Sequence, residues 1–277
     1  MSVEITWFGT ACFLIEFDAT KLLFDPFFMR NDRATPILKT KREDLRDIQG
    51  IFITHGHFDH LADAGFFLED YNTRIYCSST ASKTLKDLIN QEILPGFLYS
   101  LSKENFHHIH EIKSSQIIEI NNNITVEAIE SEHIRFDAET IFSRIFSLRF
   151  LKEVRSLLPY NKYFPKGKVF GFYTKVRNKR IVSFGSLCDK YLTTLKKFTG
   201  CDVFLIPLAG NSTRNLIKKG LRVIEALSPQ MIIPIHWDNF FPPISKTENI
   251  KPFIDEVRKN FPDTKISILQ IDDSITI

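Results

Sequence analysis

The short apolar strand Gly50-Ile51-Phe52-Ile53-Thr54 ends abruptly in His55-Gly56-His57-Phe58-Asp59-His60. Three histidines and one aspartate in six residues offer the imidazole nitrogens and carboxylate oxygens that divalent transition metals prefer. A buried strand that stops in such a run places all four side chains in one tight turn. Gly56 lets the backbone fold so that His55 and His57 face one metal. Asp59 and His60 open the next helical turn and face a second. A merely polar surface loop would not need four ligand-type residues packed at a strand end.

Working outward, the chain is 277 residues long, with 43% hydrophobic and 25% charged residues, which excludes disorder, collagen-like repeats and coiled coil as the dominant state. The 26 phenylalanines predict a strongly aromatic core. A net charge of +3 is too small to indicate nucleic-acid binding, and no apolar run reaches the roughly 18 residues of a membrane span. The opening Met-Ser-Val-Glu-Ile-Thr-Trp lacks the basic and apolar regions of a secretion signal. Cys12, Cys77, Cys188 and Cys201 stand far apart beside apolar runs, which reads as reduced core thiols and predicts a cytoplasmic protein.

Strands are predicted at Val3–Trp7, Cys12–Phe17, Lys21–Phe24, Arg74–Cys77, Gln116–Ile120 and Ile124–Ile129, and again at Val169–Val176, Arg180–Phe184, Val203–Ile206 and Met231–Ile235. Helices are predicted over 80–90, 190–198, 213–226 and 248–259. Runs of strands followed by helices give layered α and β, not a strictly alternating doubly wound sheet. With no Gly/Ser linker or low-complexity tract, one domain of two similar halves over 1–277 is expected.

The H-x-H-x-D-H run, with Trp7-Phe8-Gly9-Thr10-Ala11-Cys12-Phe13-Leu14-Ile15 and Leu23-Phe24-Asp25-Pro26 before it, resembles the metallo-β-lactamase fold superfamily. The likeness is strongest to its lactonase-like hydrolases, which include ascorbate-6-phosphate lactonase and the N-acyl-phosphatidylethanolamine phospholipase D group. It spans nearly the whole chain apart from about 137–168. The resemblance implies an αββα sandwich with metal ligands on loops at one edge of two sheets. It also implies that His133 in Ser131-Glu132-His133 and His236 in Pro234-Ile235-His236-Trp237 complete the ligand set. Taken alone, a histidine after a strand is more often a cap or a core residue. His107, His108 and His110 match no ligand position of the family and read as a solvated strand edge.

Two departures stand out. Members of the superfamily usually carry a metal-bridging aspartate where this chain has Ser186, in Gly185-Ser186-Leu187-Cys188-Asp189. A neutral hydroxyl bridges two cations poorly. Asp189 could reach back, a water could bridge beside Ser186, or one metal site could be weak; Cys188 reads as a core residue. The second departure is the 137–168 insertion, where Phe146, Phe150, Leu151, Val154, Leu157 and Leu158 fall on one helical face. That segment reads as a helix packed on the domain, with a lid over the metals as the alternative.

These readings predict a hydrolase that binds one or two divalent ions, zinc first and manganese or iron as alternatives. A metal-bound hydroxide would attack a lactone, another ester or a phosphodiester in a small-molecule substrate, one that could carry an apolar or acyl part. Asp59 would be both ligand and catalytic group, while Trp237 and Asn239 could line the cleft. A β-lactam and RNA are disfavoured, and His57 argues against a flavin-linked diiron oxidoreductase, which would carry Glu there. The competing expectation is a non-catalytic metal-binding or sensor protein on the same fold, prompted by Ser186.

Overall fold

Phe13, Phe24, Phe52 and Tyr76 stand opposite one another on four neighbouring strands, so their rings form a continuous row with centroids 4.5, 5.2 and 4.9 Å apart. Aromatic pairs of this kind add about 0.5–1.5 kcal/mol each beyond simple burial. In the computed structural model, which describes residues 2–69, 73–88, 103–135, 162–242 and 245–277, this row lies in the buried inner cluster of the core.

The strands that carry it are β1 (Glu4–Trp7), β2 (Phe13–Phe17), β3 (Thr20–Phe24), β4 (Gly50–Phe52), β5 (Arg74–Cys77) and β6 (Ile109–Glu111). Helices α1 (Phe58–Leu61) and α2 (Ser79–Leu88) follow β4 and β5. The second half gives β7 (Ile117–Asn121), β8 (Ile124–Ser131), β9 (Val169–Val176), β10 (Lys179–Phe184), β11 (Val203–Pro207) and β12 (Met231–Ile235). Its helices are α3 (Leu192–Leu195), α4 (Thr213–Leu227) and α5 (Lys251–Asn260), and the short strands β13 (Lys265–Ile266) and β14 (Ser274–Thr276) close the chain. In α4 the buried Leu216, Gly220, Val223 and Leu227 recur at helical spacing, which is why this stretch is a helix with one apolar face.

The described residues form two mixed sheets. One runs β14-β1-β2-β3-β4-β5-β6 and the other β13-β12-β11-β10-β9-β8-β7. In each, antiparallel strands give way to parallel ones, at β3–β4 and at β10–β11 respectively. The last strand, β14, crosses back to pair with β1 in the first sheet.

The inner cluster joins the sheets face to face: Phe24 and Phe52 meet Phe172 of β9 edge-on at 5.8 and 5.4 Å. A second cluster packs α1 and α2 on the outside of the first sheet, and a third packs α3, α4 and α5 on the outside of the other. The result is the αββα layering. Cys12, Cys77 and Cys201 are buried and Cys188 is half-buried; all four are free thiols. Burial pushes the thiols of Cys77 and Cys201 up to about 12, so they are inert at neutral pH. None of the described helices is long and apolar enough to cross a membrane. Residues 146–158, and with them the amphipathic face read from the sequence, lie outside the described residues.

Candidate metal centre

Parallel pairing of β3 with β4 sets Phe24 beside Phe52, so the residues that follow the two strands leave the sheet together. Asp25, at φ 42°, turns its carboxylate onto Thr54. Thr54 N donates to Oδ1 at 2.7 Å and Thr54 Oγ1 donates to Oδ2 at 2.6 Å. With its one proton spent on Asp25, Thr54 Oγ1 accepts from His55 Nδ1 at 3.0 Å. Asp25 Oδ2 also accepts from His60 Nδ1 at 2.7 Å. One buried carboxylate therefore sets the ring protons of two histidines, directly for His60 and through a hydroxyl for His55. Both are left with the Nε2 lone pair facing inward. His133 reaches the same state by donating Nδ1–H to Ile134 O at 2.7 Å.

The side chains gather in two groups whose donor atoms lie within 4.8 Å of one another: His55, His57 and His133, and Asp59, His60 and His236. In the first, His55 Nε2 and His57 Nδ1 stand 3.1 Å apart. In the second, Asp59 Oδ2 lies 3.5 Å from Nε2 of both His60 and His236. The rings of His55 and His60 are 3.9 Å apart and join the groups.

At His55, His57, His133 and Asp59 the electrostatics match ligation by neutral imidazole and ionised carboxylate. Burial lowers the pKa of His55 well below its ordinary value and that of His133 to about 4. Burial opposes ionisation of Asp59, but His60 and His236 beside it win and hold the carboxyl below the usual range. For His60, burial is likewise outweighed: Asp59 and Asp25 raise its pKa. Converging lone pairs, ring protons held on the outer nitrogens and one ionised carboxylate are what a divalent cation needs. The residues present fit such an ion at each group.

Backbone strain gathers at the same edge. Thr10, Asp25 and His236 are non-glycine residues at positive φ, 47°, 42° and 57°. His236 N donates to Thr10 O at 2.8 Å, and Thr10 N donates to Asp238 Oδ1 at 2.8 Å, which ties the end of β12 to the β1–β2 turn. Asp238 is held in turn by the buried Arg30, at 2.8 Å. Gly185 lies so close that a Cβ would stand 2.1 Å from Thr54 Oγ1 and 2.8 Å from Asp25 Oδ2. The turn after β10 thus presses on the Asp25–Thr54 pair, and only glycine fits there.

The remaining sequence candidates go elsewhere. Ser186 belongs to neither group; its buried Oγ accepts from Ile134 N at 2.9 Å and braces the loop behind His133. Asp189, for which reach-back was one of three alternatives, belongs to neither group, and its Oδ2 accepts from Arg222 Nη1 at 2.5 Å. Trp237, read as a possible cleft residue, packs its apolar ring on the core with a centroid 5.3 Å from that of Trp7. Asn239 joins two loops, pairing with Thr35 through the backbone and accepting from Ser245 Oγ at 2.8 Å. His110 stacks on Tyr76 in the edge strand β6, and neither metal group contains His107, His108 or His110. Asp25 and Thr54 were not singled out as functional in the sequence. The Asp-Pro pair after an apolar strand looks like a simple strand breaker.

A family profile described as "Beta-lactamase superfamily domain" matches residues 4–236. The chain belongs to the metallo-β-lactamase superfamily. Among its relatives there, a protein of Methylacidiphilum infernorum named UPF0173 metal-dependent hydrolase is 24% identical over 280 residues, covering 99% of this chain and 100% of its own. The fold is that of Igni18, described as a novel metallo hydrolase from Ignicoccus hospitalis, with a TM-score of 0.67 at 18% identity over 100% and 99% of the two chains. It is also the fold of part of CmlA, a diiron β-hydroxylase from Streptomyces venezuelae, with a TM-score of 0.58 at 14% identity over 100% of this chain and 53% of that one. The fold thus hosts more than one chemistry, and the site has to decide between them.

Proposed function

We propose that the two groups hold divalent ions, zinc foremost, and that the centre hydrolyses a lactone, another ester or a phosphodiester in a small-molecule substrate. The broader statement, a metal-dependent hydrolase, follows from the family and from the relatives that share nearly the whole length of the chain. The observation that carries the reading is the arrangement of ring protons. Asp25, Thr54 and Ile134 O take the Nδ1 protons of His60, His55 and His133, which leaves three Nε2 atoms aimed inward.

A divalent ion bound at such a site supplies an activated water, its pKa lowered to about 7, and polarises the bond under attack. The chain's own residues do the rest. Asp59, kept ionised by His60 and His236, orients the attacking water and relays its proton to the leaving oxygen. His55, His57 and His133 stay neutral and therefore remain donors across the physiological pH range. No serine or cysteine nucleophile is required: Ser186 is committed to Ile134, and three of the four thiols are buried.

The test is a substrate panel on zinc-loaded protein, comprising p-nitrophenyl acetate, a γ-lactone and bis(p-nitrophenyl) phosphate. Turnover of at least one, lost in His57→Ala, supports the reading. Full metal occupancy with no turnover across the panel would favour the metal-binding or sensor alternative, which draws on the missing carboxylate at Ser186.

A further inference from the structure

Residues 162–170 read Lys-Tyr-Phe-Pro-Lys-Gly-Lys-Val-Phe, with three lysines and no acid. This segment lies across the histidine turn as a strap. Phe164 is buried in the outer cluster of the first sheet. Gly56 N donates to Lys166 O at 2.8 Å, and a Cβ on Gly56 would stand 2.3 Å from Pro165 O. Gly167, at φ +64°, is pressed so closely on Thr80 that a Cβ would lie 2.5 Å from the threonine Cβ. Phe170 N then donates to Thr54 O at 2.8 Å. Lys166 is thus anchored on both sides to the turn that carries His55 and His57.

The side chain of Lys166 is exposed, and among the described residues no carboxylate pairs with Lys162, Lys166 or Lys168. The Gly56–Lys166 hydrogen bond sets the lysine directly against the peptide that joins His55 to His57. Beside His133 the rim is also cationic. The single carboxylate of Glu132 is shared by Lys190 at 3.1 Å and Arg135 at 3.3 Å. Among the described residues, Lys166 on the histidine turn and the Lys190–Glu132–Arg135 cluster next to His133 in the chain thus carry three cations and one acid. Ordinary solvated lysines need no such fastening of their backbone, and a local excess of positive charge concentrates anions at a cleft.

We propose that the strap recognises a negatively charged group of the substrate, a carboxylate or a phosphate remote from the bond that is cleaved, and that Lys166 is the residue that meets it. The inference rests on the hydrolase reading for the term substrate, but anion binding tests it separately.

The experiment titrates inorganic phosphate and succinate into zinc-loaded full-length protein at low salt by calorimetry. Lys166→Met should weaken the better-bound anion by about two- to fivefold, the scale of one exposed charge contact. Lys166→Arg should restore most of the affinity. Zinc content should stay the same in both variants, and whichever anion binds more tightly assigns the group as phosphate or carboxylate. In turnover, KM for p-nitrophenyl hemisuccinate should rise with kcat unchanged, and KM for neutral p-nitrophenyl acetate should not move. Equal anion affinity in Lys166→Met and the wild type, or an equal rise in KM for both esters, would overturn the proposal. Weakened anion binding in a protein that hydrolyses neither ester would uphold the strap and remove the hydrolase reading alone.

Discussion

Asp25 Oδ2 accepts the Nδ1 proton of His60 at 2.7 Å, and the same oxygen accepts from Thr54 Oγ1, which in turn accepts from His55. A residue of β3's end thus sets the tautomer of one histidine in each metal group, although it belongs to neither. Outer partners of this kind typically govern metal affinity by 10–100-fold, through ring orientation and basicity.

Asp25→Asn keeps the shape but offers an amide N–H where His60 and Thr54 need an acceptor. Zinc affinity should fall by about 10–100-fold. The loss should be greater at Asp59/His60/His236 than at the three-histidine group, as read by competition with a chelating dye. Wild-type affinity in this variant would remove Asp25 from the account.

Gly56→Ala would drive a methyl to within 2.3 Å of Pro165 O, a backbone atom that cannot swing away. Overpacking of this sort costs about 1–3 kcal/mol. In a thermal melt each kcal/mol should appear as a fall of about 2–4 °C for a chain of this size. An unchanged melt would show that the strap is not wedged on the turn.

Ser186→Ala removes the acceptor of a buried N–H, that of Ile134, whose neighbour His133 is a ligand candidate. An orphaned buried donor costs about 1–3 kcal/mol. The melt should drop accordingly, with zinc lost from the three-histidine group. Asp189→Ala breaks only a partly exposed pair with Arg222, so metal content should not change and stability should move by no more than about 1 kcal/mol. Metal loss in Asp189→Ala with none in Ser186→Ala would reverse these roles.

Much of this was legible in the sequence, and the exceptions have physical causes. The layered fold could be read because β-type runs such as Val169–Val176 and Met231–Ile235 are long and apolar. β6, β13 and β14, only two or three residues each, carry too little periodicity to announce themselves. The histidine run could be read because its ligands are adjacent in the chain. His133 and His236 each follow a strand alone and could be placed only through the family resemblance. Asp25 was missed because its partners lie about thirty residues on and reach it through the parallel pairing of Phe24 with Phe52. Trp237 follows a ligand candidate in sequence, but its side chain points into the core, which sequence adjacency does not reveal.

The central claim is that hydrolysis depends on metal held by His55, His57, Asp59, His60, His133 and His236. The most direct measurement is hydrolysis of the best substrate from the panel by protein stripped with a chelator, dialysed and then titrated with zinc. Activity should vanish on stripping and return in proportion to bound zinc. Hydrolysis by the metal-free protein at the untreated rate would contradict the account.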